Sequence, residues 1–203
     1  MATAKTTRTD QDAAPLHGWV TQPPSRAARL FNDGYPSNAL EAGKFFPATE
    51  AGRTDPLQPS DVPSDMPPAD GKIASAGYPG GGAPQLDEVR DWRKVDLASG
   101  GQQKFVWNFT MQHRTRRYNY FVTKNGWDPS QPLTRAQFEP VPFAKLEPNG
   151  DTPYWELPMP PHGVPVEHTI TLPERKGYHV VLGVWEVADT GAAFYQVIDA
   201  NFA

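Results

Sequence analysis

Residues 104–113 read KFVWNFTMQH. In an extended chain successive side chains point to opposite faces, so Phe105, Trp107, Phe109, Met111 and His113 fall on one side and Lys104, Val106, Asn108, Thr110 and Gln112 on the other. Aromatic against polar in strict alternation is the pattern of an antiparallel strand with one face in a core. A second aromatic stretch, YNYFVTK at 118–124, follows RTRR, which reads as a tight connection. HTITL at 168–172 alternates again, and residues 194–202 predict a closing strand. YHVVLGVWEV at 178–187 is apolar on both faces, which predicts a central strand covered on both sides. Short strands separated by turn residues point to an all-β chain, an immunoglobulin or fibronectin-III-like β-sandwich.

Outward from these strands the pattern dissolves. From His17 to about Tyr78 the chain is punctuated by Pro23-Pro24, Pro47, Pro56, Pro59, Pro63 and Pro67-Pro68. This predicts a long irregular loop region between the first strands. Gly77 to Gly82 reads as a break, Gln85 to Arg93 as one or two helical turns containing Trp92, and Thr134 to Phe138 as a single turn. The first sixteen residues, MATAKTTRTDQDAAPL, are polar and lack the apolar run of a secretory signal. They are expected to be a disordered or removed leader, with residues 17–203 forming a single domain.

Composition narrows the chemistry. The 203 residues include 23 prolines and 17 glycines, which oppose long helices. A balance of 19 basic against 23 acidic side chains, net −4, offers no global field for a phosphate backbone, so no nucleic-acid partner is expected. No apolar stretch approaches the ~18 residues of a membrane span, so no membrane partner is expected either. The chain has no cysteine, which excludes a disulfide framework, a zinc ribbon and a thiol nucleophile. A metal would have to use histidine, carboxylate or amine.

The histidines are His17, His113, His162, His168 and His179, and no HExxH, G-x-S-x-G or phosphate-loop motif accompanies them. His168 and His179 sit within strand patterns and read as structural; His162 lies in a Pro-Pro-His-Gly turn. His113 ends the aromatic face of its strand, a place compatible both with a hydrogen-bonded rim histidine and with a metal ligand. His17, as an internal residue, is a loop histidine. Were the leader removed, it would offer an amine and an imidazole, and with a second imidazole would make an all-nitrogen site suited to copper.

The ordered set HGWVTQPPSRA (17–27), Tyr35 with Glu41, DGKIASAG (70–77), residues 105–143, LPERKGYHVVLGVWEVADT (172–190) and AAFYQVIDANF (192–202) resembles one family. It is that of the bacterial chitin-active lytic polysaccharide monooxygenases, auxiliary activity family 10, formerly classed as chitin-binding modules. The likeness is greatest to the first domain of N-acetylglucosamine-binding proteins and covers nearly everything but the leader. It implies a distorted fibronectin-like sandwich and a histidine brace in which His17 and His113 hold one copper ion. Phe194 matches the aromatic group at the axial position, although strand pattern alone reads it as core. Trp185 matches the tryptophan beneath the metal. Glu41 matches the carboxylate that positions the co-substrate, and read alone is a surface carboxylate. Tyr35, Thr110 and Asp189 match contacts to crystalline chitin. Two departures stand out: Met111 replaces a small alanine near the metal, and Ala192 a polar substrate contact.

The expected activity is therefore copper-dependent oxidative cleavage of glycosidic bonds in crystalline polysaccharide, chitin before cellulose. It would use an external reductant and oxygen or hydrogen peroxide, in a secreted monomer. The alternative is a non-catalytic chitin- or glycan-binding module or adhesin. A hydrolase is disfavoured because no pair of carboxylates can be placed across a scissile bond.

Overall fold

The computed structural model describes residues 18–32, 39–55, 61–77, 83–111, 113–148, 156 and 163–203. Two long antiparallel strands, β8 (Gly177–Val187) and β9 (Ala192–Phe202), pair along their whole length, with Trp185 opposite Phe194. Both are buried almost throughout. They form the centre of a six-stranded sheet ordered β2 (Glu41–Gly43), β9, β8, β5 (Thr115–Val122), β6 (Ala144–Leu146), with β3 (Val95–Leu97) running parallel beside the far end of β9. A three-stranded sheet of β1 (Gly18–Gln22), β4 (Gln102–Phe109) and β7 (Val166–Thr171) packs against it.

Apolar residues on both faces of β8 serve two separate cores. Facing the small sheet, Val181 and Trp185 meet Phe105, Trp107 and Phe109 of β4, Tyr118 of β5 and Phe194 of β9. Gly183 lies on this face, where an added Cβ would stand 3.2 Å from Trp107, so the missing side chain is what admits the indole. On the opposite face Val180, Leu182 and Val184 pack against Leu40, Phe46 and Ile73 of the proline-rich region and Leu86 and Trp92 after it. Phe46 meets Phe121 edge-on, with ring centroids 4.9 Å apart. The irregular segment thus forms the cover over the second face of the central sheet.

The sandwich follows the alternation in the sequence, with differences at element ends. β4 stops at Phe109, so His113 lies beyond the strand, in the connection to β5. β5 begins at Thr115, so Thr115, Arg116 and Arg117 belong to a strand where the sequence predicts a tight turn. Arg116 is tolerated there, 1% exposed, because Glu186 and Asp61 accept from its guanidinium at 2.9 and 3.1 Å and Asp55 closes the cluster. The helical turn expected over 85–93 shrinks to a 3-10 turn at Pro84–Asp87, with Trp92 beyond it yet buried. The turn near Thr134 forms as expected, over Arg135–Gln137, closed by a capping box from Thr134.

β1, β2, β3, β6 and the helix α1 (Arg26–Phe31) had no sequence forecast. β2, β3 and β6 have three residues each, too few to display a period, and β1 and α1 lie within the proline-punctuated stretch. α1 is set by its ends: Ser25 Oγ accepts from the Ala28 N–H at 3.1 Å, and Asn32 closes it in the left-handed region at φ 50°. His162 and the expected break at 78–82 lie outside the described residues.

His179 and His168 are structural, as their strand positions imply. The His179 ring meets Thr123 Oγ1 at 3.0 Å. Trp107 Nε1–H donates to Tyr120 Oη at 2.8 Å, and the Tyr120 hydroxyl donates onward to His168 Nδ1 at 2.8 Å. His168 must be neutral to accept, and burial pushes it from its usual 6.5 down to about 4. Between those values the unfolded chain binds the proton and the folded chain does not. The contribution, about 3 kcal/mol, is therefore whole above pH 6.5 and is lost as pH falls toward 4. Urea midpoints measured across this range should fall with pH, and His168→Gln should flatten that part of the slope.

Candidate metal centre

Two chain connections and an edge strand meet at the end of the sandwich where β9 begins. The β4–β5 connection carries His113, the β8–β9 turn carries Asp189, and the short edge strand β2 places Glu41 opposite Phe194. The Ala188 N–H donates to the Arg114 carbonyl at 2.8 Å, which ties the first two together. Beneath them lies an aromatic floor. Trp185 and Phe194, both fully buried, have ring centroids 4.9 Å apart. The His113 ring stacks on Phe194 at 6.0 Å with 25° between planes and stands 6.0 Å from Trp185. Phe109 meets the other side of Trp185 edge-on at 4.8 Å, and Trp185 Nε1–H donates to Thr115 Oγ1 at 2.9 Å.

The orientation of His113 has a second determinant. Its Nδ1 faces Asp189 Oδ2 at 3.3 Å. Burial alone would raise the Asp189 carboxyl, but the hydrogen bond and charge of His113, joined by backbone N–H groups, hold it below the usual range. A carboxylate at Asp189 can only accept, so Nδ1–H donates to it and Nε2 is the ring nitrogen left for a metal. Glu41 behaves in the opposite sense: burial pushes its carboxyl up and Asp65 adds to the rise, against the opposing charge of His113.

Asp65 has no distinguishing signal in the sequence. Its N–H donates to the Gly191 carbonyl at 2.8 Å, and a Cβ on Gly191 would strike its carboxyl group at 2.6 Å. Together with Glu41, Met66 and Lys72 it lines a cleft of about 660 Å³ beside the floor.

The structure gathers His113, Glu41, Phe194, Trp185 and Asp189 at this one end, and Thr110 begins the connection that carries His113. Met111 is 41% exposed. His17 and Tyr35 lie outside the described residues. Gly18, which follows His17, opens β1 opposite Phe109. A Cβ there would lie 2.8 Å from the Phe109 ring and 2.9 Å from Trp185.

Among the described residues, no group of three or more His, Cys, Asp or Glu side chains is arranged to hold a metal. Among the described residues the nitrogen donor at this end is the His113 imidazole, with Nδ1 on Asp189 and its ring stacked on the apolar floor.

The sequence model of a family described as lytic polysaccharide mono-oxygenase, cellulose-degrading, matches residues 17–200. The chain belongs to this family. Among solved structures, a chitin binding domain from Burkholderia pseudomallei is similar at 46% identity and TM-score 0.84, covering 93% of this chain and 100% of that one. An AA10 lytic polysaccharide monooxygenase from Streptomyces lividans is similar at 31% identity and TM-score 0.72, covering 92% and 100%. GlcNAc-binding protein A of Shewanella oneidensis is 37% identical over 212 residues, 99% of this chain and 38% of the relative. The corresponding protein of Photobacterium profundum is 42% identical over 144 residues, 71% of this chain and 27% of the relative. The chain therefore spans roughly a third of the length of these curated relatives. The His113 imidazole, backed by a carboxylate on Nδ1, is a nitrogen donor of the kind that copper takes.

The contact at Gly18 yields a test. Gly18→Ala should force the Phe109 and Trp185 rings apart and lower unfolding stability by about 1–3 kcal/mol in urea titration. An unchanged midpoint would show that this packing is looser than described.

Proposed function

We propose that this protein, acting as a single domain over residues 17–203, carries out copper-dependent oxidative cleavage of crystalline polysaccharide, chitin before cellulose. The observation that carries the reading is His113, fixed by Asp189 on one side and stacked on Phe194 over Trp185, with Glu41 alongside. His17, as the first residue of the working chain, supplies its amine and imidazole, and His113 supplies Nε2. Copper so held supplies one-electron chemistry toward oxygen or hydrogen peroxide when an external reductant is present.

The chain's own residues do the rest. Asp189 fixes the tautomer and plane of His113. Phe194 closes the apolar side of the site and Trp185 makes that wall rigid. Glu41 presents a carboxyl group to the co-substrate and exchanges a proton at its Oε atoms. Tyr35, Thr110 and the outer edge of Asp189 meet the polysaccharide. A site at the end of a sandwich, set in loops over a rigid core, is reachable by a solid substrate that cannot enter a pocket. The working protein acts outside the cell, as a monomer.

Chitin is favoured because a 46%-identical structure is described as a chitin binding domain. That description also favours a second reading, a module that binds chitin without cleaving it.

The chain beginning at His17, incubated with β-chitin and ascorbate, should release oxidised oligosaccharides that mass spectrometry detects. His113→Ala should abolish both these products and tight copper binding, while Asp189→Ala should weaken copper about tenfold through loss of the support behind His113. Chelator-insensitive retention on chitin, with no oxidised product from the His17 chain, would favour the binding module.

A further inference from the structure

At the opposite end of β9 the chain builds a second cleft, of about 520 Å³, with a different chemistry. Asp199 is five residues beyond Phe194 along the strand, about 17 Å away. Its carboxylate accepts from Arg26 Nε and Nη2 at 3.0 and 2.7 Å and from the Tyr178 hydroxyl at 2.7 Å. Arg26 and Asp199 are both buried, so this pair neutralises itself within the wall. The other lining carboxylate, Asp91, is engaged by Lys94.

Three further guanidiniums, Arg29, Arg90 and Arg93, line the same cleft from two chain segments. Arg90 has one distant partner, Glu88, at 3.7 Å, and among the described residues Arg29 and Arg93 have no ion pair. Burial and the nearby charge of Arg93 lower the affinity of Arg29 for its proton, with Asp199 opposing. Like charges are thus held together at a cost in a protein whose net charge is −4. Trp92 holds the arrangement in place: the Arg90 and Arg26 guanidiniums lie 3.8 and 4.2 Å from its ring centroid, and it is 7% exposed. The indole is covered by cations, so it offers no open face to a sugar ring.

We propose that this cleft is an anion site separate from the metal centre, taking a tetrahedral oxyanion, sulfate or phosphate, either free or as the ester group of a sugar. Forked donors converging from two segments match an anion with three or more acceptor oxygens better than a two-oxygen carboxylate. The occupant neutralises a cluster that the chain leaves in excess of its local carboxylates.

The test uses the full chain at low ionic strength, following arginine Nε–Hε signals by NMR. Sodium sulfate is titrated in one arm, and a sulfated disaccharide with its desulfated counterpart in another. Saturable shifts of Arg29, Arg90 and Arg93 are expected, with Arg29→Gln and Arg93→Gln each weakening the binding at least tenfold. Lys145→Gln, on β6, should leave it unchanged. Saturation by sulfate alone assigns the cleft to free oxyanions; saturation by the sulfated sugar alone assigns it to the ester. Absence of saturable shifts in both arms, equal affinity in the variants, or equal binding of the desulfated sugar would overturn the proposal. Arg93 is exposed, so a variant there tests the site without a burden on folding.

Discussion

The indole of Trp185 is the contact on which the rest of the molecule's functional end is arranged. It is fully buried, with Phe109, Phe194, Trp107 and Tyr118 against it. Its Nε1–H bond to Thr115 fixes where β5 begins and hence where the His113 connection must end. Its ring also sets the closest approach of β1, which is why position 18 has no side chain. Truncating a buried tryptophan costs about 3–5 kcal/mol. Here it would also remove the floor shared by Phe194 and His113.

A second constraint is electrostatic. Lys44, Asp61, Arg116 and Glu186 are all buried and bonded to one another, with Lys44 Nζ 2.6 Å from both Asp61 Oδ1 and the Val62 carbonyl. Glu186 also accepts from the Phe45 N–H at 3.1 Å, beside a left-handed backbone at φ 67°. Buried ion pairs of this kind contribute little net stability, yet breaking one partner costs about 3–5 kcal/mol, so they specify a single arrangement. In a chain without cysteine they fasten the proline-rich segment to the sheet, and with it β2, Glu41 and Asp65.

The sandwich was legible because β4 alternates strictly over eight residues and β8 is an apolar run of a central strand's length. The double-sided burial of β8 was legible because the sequence is apolar on both of its faces. The short strands were not, since β2 and β3 exist through pairing with β9 and carry no pattern of their own. Arg116 was misplaced into a turn because charge in a sequence signals solvent, and only the fold brings Asp61 and Glu186 to it. At the site, local pattern made His113 a candidate and nothing more. The family's ordered motifs singled out Glu41, Phe194, Trp185 and Asp189, which the fold brings to one place. Asp65 and the arginine cleft were invisible, as their members are separated in sequence and meet through α1 and the turn after β8.

The central claim is that His113 and a terminal His17 together make a three-nitrogen site. Electron paramagnetic resonance of one equivalent of Cu(II) on the chain beginning at His17 tests it most directly. The account predicts superhyperfine structure from three nitrogens, reduced to two in His113→Ala. Three nitrogens persisting in that variant, or a spectrum of oxygen-bound copper in the parent chain, would contradict it.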